Sequence, residues 1–352
     1  MTAGPVMAAD VDRQVPAWVA ALDVLSGRAD ELRHRWKQLD PTRIHVAGCG
    51  SVNYLSQTLA PLLQTATGVT ATAGPGSALL DAAHYPLLEP AGSVLVAVSR
   101  SGETSEMVRA VEGFRAREGR AVWLLTTRSA STLAGLADLV LACDEGFETS
   151  VVQTRSFAAL LTLGQGLCDV LADRPLPLPA AVAGAGAATL HAGRSLVSGL
   201  DMARFHRVIV LATNPLLGLA REGRLLLSEV ALTDSAAHPF LDFRHGPIAM
   251  VDDATLVVAL ADPTTSAAEL AVLDDVVAAG GTTLTLALGP AAAGPVGERS
   301  GLHLDVDPGD TGQLTLFLPP LQLIALRRAA ATGVDPDRPR HLTAVVTLDG
   351  DR

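Results

Sequence analysis

Four short apolar runs, opening at Arg43, Val94, Val122 and Leu139, have counterparts at Arg207, Leu256, Thr283 and Leu302, and the offsets are 164, 162, 161 and 163 residues. A shift this steady across four elements marks an internal duplication, so the chain is expected to fold as two similar halves. Each run is rich in Val, Leu or Ala without polar alternation, which is the pattern of a strand covered on both faces. Between the runs lie stretches of helical spacing, such as Glu106 to Arg117 with Met107, Val108, Ala110, Val111 and Phe114. Strands alternating with helices predict the α/β class: two tandem lobes, each a doubly wound parallel sheet.

Taken in order, residues 1 to 13 read as a loose tail and Pro16 to Leu39 as a helical pair. Strands are expected at Arg43–Ala47, Val69–Ala73, Val94–Val98, Ala121–Thr126 and Leu139–Cys143. Helices are expected at Tyr54–Thr65 and Ser77–Ala83, with a helix or turn near Thr132–Leu136. After a helix at Ser156–Leu171, the Pro- and Ala-rich stretch Arg174–Gly186 reads as the boundary between lobes. A helix over Ala187–Phe205 and strands at Arg207–Leu211, Thr255–Leu260, Thr282–Leu288 and Leu302–Val306 complete the second set. The expected organisation is an N-terminal helical segment (1–40), a first lobe (41–175), a second lobe (187–335) and a tail (336–352).

The balance of charge is −11, and basic residues gather no further than Arg115/Arg117 and Arg327/Arg328, which argues against nucleic acid as a partner. Cys49, Cys143 and Cys168 form no CxxC pair and are odd in number. That pattern suits neither a disulfide framework nor a zinc site and points to a reducing cytoplasm. The first residues, MTAGPVMAADVDRQ, lack the basic start and apolar core of an export signal. No run of eighteen apolar residues occurs, since Pro319 and Pro320 interrupt Leu314–Leu326; a soluble protein is expected, with no membrane partner.

Ligands of open α/β sheets sit beyond the carboxyl ends of the strands. Three loops qualify in the first lobe: Gly48–Asn53 (GCGSVN), Ser99–Ser105 (SRSGETS) and Glu148–Arg155 (ETSVVQTR). The second is the most telling. A strand, a hydroxyl-rich turn with one glycine and a helix start bring unpaired N–H groups and the positive end of a helix dipole to where several O–H donors point. Phosphate is the expected ligand, although Ser and Thr also serve as ordinary helix N-caps. The matching loops of the second lobe, Ala212–Leu216 and Asp262–Ser266, are poorer in hydroxyls at the first position, so the lobes are expected to differ in function.

In the second lobe, Ala220–Leu232 has helical spacing and carries Glu222 and Glu229, seven residues apart on one face. Glu229 is either a solvated position on an amphipathic helix or a working carboxylate. Sixteen residues on stands Phe243-Arg244-His245-Gly246-Pro247. A histidine gives and takes protons near neutrality, but in a Gly-Pro turn it is also commonly structural.

GCGS, SRSGETSE, the run Glu148–Phe157, LLLSEVAL, FRHGPIAMVDD and PDRPRHLTAVVTL follow in order the motifs of the sugar isomerase (SIS) superfamily. The chain resembles the isomerase half of glucosamine-6-phosphate synthase and its stand-alone phosphosugar isomerase and deaminase relatives, from about Ile44 to the C-terminus. The resemblance implies two SIS lobes, no metal or cofactor, and a homodimer whose active site draws on both subunits. It implies a phosphosugar or aminosugar substrate whose phosphate is held by Gly50, Ser51, Ser99, Arg100, Ser101 and Thr104, with Val151 and Gln153 at the sugar. It further implies that Glu229 shuttles the proton between C1 and C2 and that His245, from across the dimer, assists ring opening.

The chain departs from that pattern at four places. Val52 stands where a second serine is frequent, Arg100 replaces a common glutamine, Arg155 replaces a lysine, and Ala344 falls where the synthase carries a lysine that reaches the sugar. A glutaminase domain with its N-terminal cysteine is not seen, so ammonia from glutamine is not expected of these residues alone. The competing expectation is a non-catalytic phosphosugar-binding protein with a regulatory role. A dinucleotide-binding dehydrogenase fails on the fingerprint, because Gly48 and Gly50 lead to Asn53 instead of a third glycine.

Overall fold

The computed structural model describes residues 4–80, 90–289, 301–304 and 311–348. Its ten described strands are β1 (Arg43–Gly48), β2 (Ala71–Pro75), β3 (Ser93–Ser99), β4 (Ala121–Thr126), β5 (Leu139–Ala142), β6 (Arg207–Leu211), β7 (Asp234–His238), β8 (Thr255–Ala261), β9 (Thr282–Leu288) and β10 (Gly301–Leu304). Helices α1 (Pro5–Asp12), α2 (Gln14–Ser26), α3 (Ala29–Leu39), α4 (Ser51–Thr67), α5 (Gly76–Leu80), α6 (Ser105–Ala116), α7 (Thr132–Leu136) and α8 (Arg155–Leu171) come first. They are followed by α9 (Pro179–Ser198), α10 (Leu217–Ala231), α11 (Phe240–Phe243), α12 (Ala267–Leu270), α13 (Val272–Ala278) and α14 (Leu318–Thr332). Two compact units result. One comprises Arg13–Thr149, Gln153–Ala183 and Thr343–Arg352; the other comprises Met1–Asp12, Ser150–Val152 and Gly184–Leu342.

The unit that begins at Arg13 is built on a five-stranded parallel sheet in the order β2-β1-β3-β4-β5. Every residue of β3 is buried, as a central parallel strand requires. Leu95 and Ala97 on one face pack with Met107, Val111 and Phe114 of α6. The alternate residues Val94, Val96 and Val98 are just as inaccessible, so the opposite face is covered too. Helix α8 is buried at all but its end positions because it approaches its neighbours through glycine. A Cβ at Gly164 would stand 2.5 Å from the Leu59 side chain of α4, and one at Gly166 would stand 2.5 Å from Leu25 of α2.

The other unit holds a second five-stranded parallel sheet, ordered β7-β6-β8-β9-β10 along its length. Read from β6, its order is that of the first sheet read from β1. Ile209, Leu211, Val257 and Ala259 pack with Phe240, Phe243, Leu273 and Val276 on one face. Helix α10 runs along β6 and β7 and lies against α14, where Gly223 meets Leu321. Beneath them Arg328, almost fully buried, donates to the Met202 carbonyl at 2.6 Å and to Thr233 Oγ1 at 3.1 Å.

Three expectations need correction. Of the stretch expected as a loose tail, residues 1 to 13, the described part is ordered. Pro5–Asp12 forms α1 with Met7 and Val11 buried, because the Asp337 carboxylate accepts the N–H groups of Val6 and Met7, each at 2.9 Å. That cap comes from the far end of the chain, beyond the reach of any local signal. The stretch Arg174–Gly186 does contain the division between the two units, after Ala183, but it is partly helical, since α9 starts at Pro179, a residue suited to the first helical turn. Finally, β7 was not expected at all: Asp-Ser-Ala-Ala-His has no apolar run, being an edge strand that is nowhere fully buried. The remainders of the helix expected over Ser77–Ala83 and of the strand expected over Leu302–Val306 lie outside the described residues.

Candidate functional site

In the first sheet, β1 connects outward to β2 on one side while β3 lies on its other side, so the chain reverses direction across the sheet between β1 and β3. That reversal is the switch point at which α/β sheets open a crevice. Ala47 pairs with Ala97 across it, which brings the turns Gly48–Ser51 and Ser99–Thr104 side by side. Gly50 has φ +60° and leads into Ser51, the buried first residue of α4. Gly102 has φ +71°, and a Cβ there would lie 2.1 Å from Ser131 Oγ, so only glycine fits.

The hydroxyls of the second turn divide their work. Ser99 Oγ accepts the Gly102 N–H at 3.0 Å and Ser101 Oγ accepts the Glu103 N–H at 3.1 Å, bracing the turn while each O–H hydrogen remains available to a ligand. Thr104 occupies the N-cap position of α6, yet its side chain makes no capping bond. No side-chain hydroxyl therefore caps α6 from the N-cap position. Arg100, 6% exposed, hands its backbone carbonyl to Thr127 Oγ1 at 2.9 Å and donates from Nη2 to the Ala344 carbonyl at 2.5 Å. The tail beyond is fastened to the same place, with the Ser105 N–H on the Val346 carbonyl and the Leu348 N–H on Ser105 Oγ.

The loop before α8 is ordered by Glu148. Its carboxylate, 2% exposed, accepts the N–H groups of Thr154, Arg155 and Ser156 and both the Thr154 and Ser156 hydroxyls. A negative charge at that helix start is well placed against the dipole. Gln153, half-buried, accepts from Ser156 Oγ at 3.4 Å. Val151, also half-buried, falls with Ser150 and Val152 in the other unit. Beside the Ser99–Thr104 turn lies a cavity of about 320 Å³ bounded by Arg100, Ser101, Arg128, Phe147 and Ala344. The sequence reading named neither Arg128 nor the anchoring of the tail.

Glu229 and His245 belong to the second unit. Glu229 is half-buried in the last turn of α10, three residues before the left-handed C-cap Leu232. A carboxylate there opposes the helix dipole. Glu222, its neighbour seven residues earlier, is 1% exposed. His245 is exposed and follows α11, its N–H on the Asp242 carbonyl at 2.9 Å; Gly246 then takes φ +144°, open only to glycine, and Pro247 starts a tight turn. Arg244 pairs with Asp275 at 2.6 Å.

The equivalent switch point of the second sheet, between β6 and β8, is already filled. Glu269 accepts from Ser266 N–H and Oγ, each at 2.8 Å, and from Thr213 Oγ1 in the loop after β6. An internal carboxylate thus uses the donors that the first sheet leaves open. Thiol chemistry is remote: burial, with Glu106 nearby, pushes Cys49 up to about 12, and burial pushes Cys143 up to about 11 and Cys168 higher still. Among the described residues no three His, Cys, Asp or Glu side chains cluster to hold a metal, and no helix is long and apolar enough to cross a membrane.

Residues 39–167 match the SIS domain. The chain is 30% identical over 285 residues to the glutamine–fructose-6-phosphate aminotransferase (isomerizing) of Pyrobaculum aerophilum, which covers 76% of this chain and 46% of that protein. The chain thus spans about half the length of the curated relatives it matches. Among solved structures, a glucosamine-6-phosphate deaminase of Thermotoga maritima is 22% identical, covering 94% of this chain and 100% of its own, with TM-score 0.77. A tagatose-6-phosphate ketose/aldose isomerase of Escherichia coli is also 22% identical, covering 98% and 96%, with TM-score 0.79. At that identity the two structures establish a shared fold.

Proposed function

We propose that this chain, a SIS-domain protein by its match over residues 39–167, is an enzyme that moves a proton between C1 and C2 of a sugar 6-phosphate, as a phosphosugar isomerase or an aminosugar-6-phosphate deaminase. The observation that carries the reading is the turn at the first switch point, where Thr104 stands at the cap with its hydroxyl uncommitted and Ser99 and Ser101 keep their O–H hydrogens. The names of the relatives point to the same substrate class.

In this reading Ser51, Ser99, Arg100, Ser101 and Thr104 hold the phosphate, Gly50 lets the backbone come close, and Val151 and Gln153 meet the sugar. Gripping a group that does not react positions the carbons that do. Glu229 is the base. A proton next to a carbonyl is acidified, and one carboxylate can take it from one carbon and return it to the next through an enediol or enolamine. With an amine at C2 the same transfer, through the enolamine, leaves an imine at C2 that water hydrolyses to the ketose and ammonia. The scheme asks for no cofactor.

His245 assists ring opening from the partner subunit of a homodimer. Support comes from its exposure and from the exposed Leu241 and Met250 on either side of it in sequence, 45% and 53% accessible, as expected of a face that another subunit covers. The matching strand orders of the two sheets support their origin by duplication, with the second lobe having exchanged its anion site for Glu269. The cytoplasm is the proposed place of action. Incubation with glucosamine 6-phosphate, galactosamine 6-phosphate, and fructose 6-phosphate plus ammonia, reading ammonia and ketose together, tests the proposal. Ketose with ammonia identifies a deaminase and aldose–ketose exchange an isomerase. Tight binding of all three without turnover contradicts catalysis and leaves a phosphosugar-binding protein.

A further inference from the structure

Arg128 lies just beyond β4, its N–H on Thr126 Oγ1 at 3.1 Å and its guanidinium carbon 4.5 Å from the centre of the Phe147 ring. It lines the cavity of about 320 Å³ opposite the phosphate turn. Among the described residues its guanidinium forms no hydrogen bond or ion pair, in a chain with 37 acidic and 26 basic side chains other than histidine. Three acids close at hand in the sequence or in the cavity wall are committed elsewhere. Glu103 accepts the Thr132 N–H at 2.9 Å and its hydroxyl at 2.6 Å, Asp144 accepts the Ser129 N–H at 2.7 Å, and Glu148 caps α8. Arg128 is exposed, its guanidinium lies over the Phe147 ring, and it lines the cavity with no protein acceptor among the described residues. A planar cation held in this way is suited to two-point recognition of a carboxylate or a phosphate.

The cavity, about 320 Å³, has room for more than a phosphate. The phosphate itself has its own donors in the Ser99–Thr104 turn. We propose that Arg128 holds a second acidic group, so that the ligand of this site is a phosphosugar carrying an additional carboxylate or phosphate. The inference rests on the phosphate-binding reading of the turn and adds a specificity residue to it.

Calorimetric binding of two matched pairs tests it: 6-phosphogluconate against glucitol 6-phosphate for a carboxylate, and fructose 1,6-bisphosphate against fructose 6-phosphate for a second phosphate. The wild-type chain binds the doubly acidic member of at least one pair about tenfold tighter, the scale of one charge-assisted bidentate contact. The pair that shows the preference identifies the second group. Arg128→Ala abolishes the preference while leaving glucitol 6-phosphate and fructose 6-phosphate unchanged, and Arg128→Lys restores part of it. Equal affinity within both pairs overturns the inference, as does an Arg128→Ala variant that weakens all four ligands alike, which would place Arg128 on the first phosphate. Absence of binding by all four would overturn the phosphate reading beneath it as well, so the two failures are told apart.

Discussion

At the scale of single residues, the proposed phosphate turn depends on parts that cannot be exchanged. Gly102 combines φ +71° with a Ser131 oxygen 2.1 Å from where a Cβ would be. Gly102→Ala is therefore expected to cost about 1–3 kcal/mol, read as a lower urea midpoint, and to weaken phosphosugar binding along with it. Ser101 is different, since its hydroxyl spans the turn and still offers a hydrogen outward. Ser101→Ala should reduce phosphosugar affinity about tenfold, the scale of a hydrogen bond to a charged group, while unphosphorylated sugars bind as before; equal losses for both would speak against the cradle. These residues were legible because the chemistry lies in a contiguous string. Arg128 was not, for its meaning depends on a ring, a cavity and three acids that all face other partners.

At the scale of elements, the two switch points explain how one topology serves two purposes. The first sheet leaves its donors open, and the second sheet spends them on Glu269. Burial would raise that carboxyl, but hydrogen bonds from Thr213 and Ser266 outweigh it and hold the group below its usual 4.5. A carboxylate whose folded value is depressed stabilises the fold above the unfolded value, and that contribution is lost as pH falls through the lower, folded one. Stability measured from pH 6 downward should thus decline below about pH 4.5, and Glu269→Gln should flatten that part of the decline. Ser266→Ala removes the other half of the capping box and should cost about 1 kcal/mol in thermal melts. The buried strands announced themselves through apolar runs. The edge strand β7 and the helix α1 did not, because one is made of small and polar residues and the other is capped by Asp337, over three hundred positions away.

At the scale of the whole molecule, the constant offset between strand runs foretold two sheets of like order, and the order is what creates a crevice at the first switch point. A family resemblance named Glu229 and His245; the structure adds that the first is half-buried in the last turn of α10 and that the second is exposed, as are Leu241 and Met250 four residues before and five after it in sequence. Replacement of Leu241 and Met250 by Asp should yield monomers in sedimentation if that face is shared between subunits, and an unchanged assembly would remove His245 from a composite site. In the proposed mechanism a single side chain does the chemistry while others hold the substrate. Turnover and phosphosugar affinity measured together for Glu229→Gln test this most directly. The expected result is a fall in rate of at least about a hundredfold with affinity for the phosphosugar retained, and a variant that turns over at the undiminished rate would contradict it.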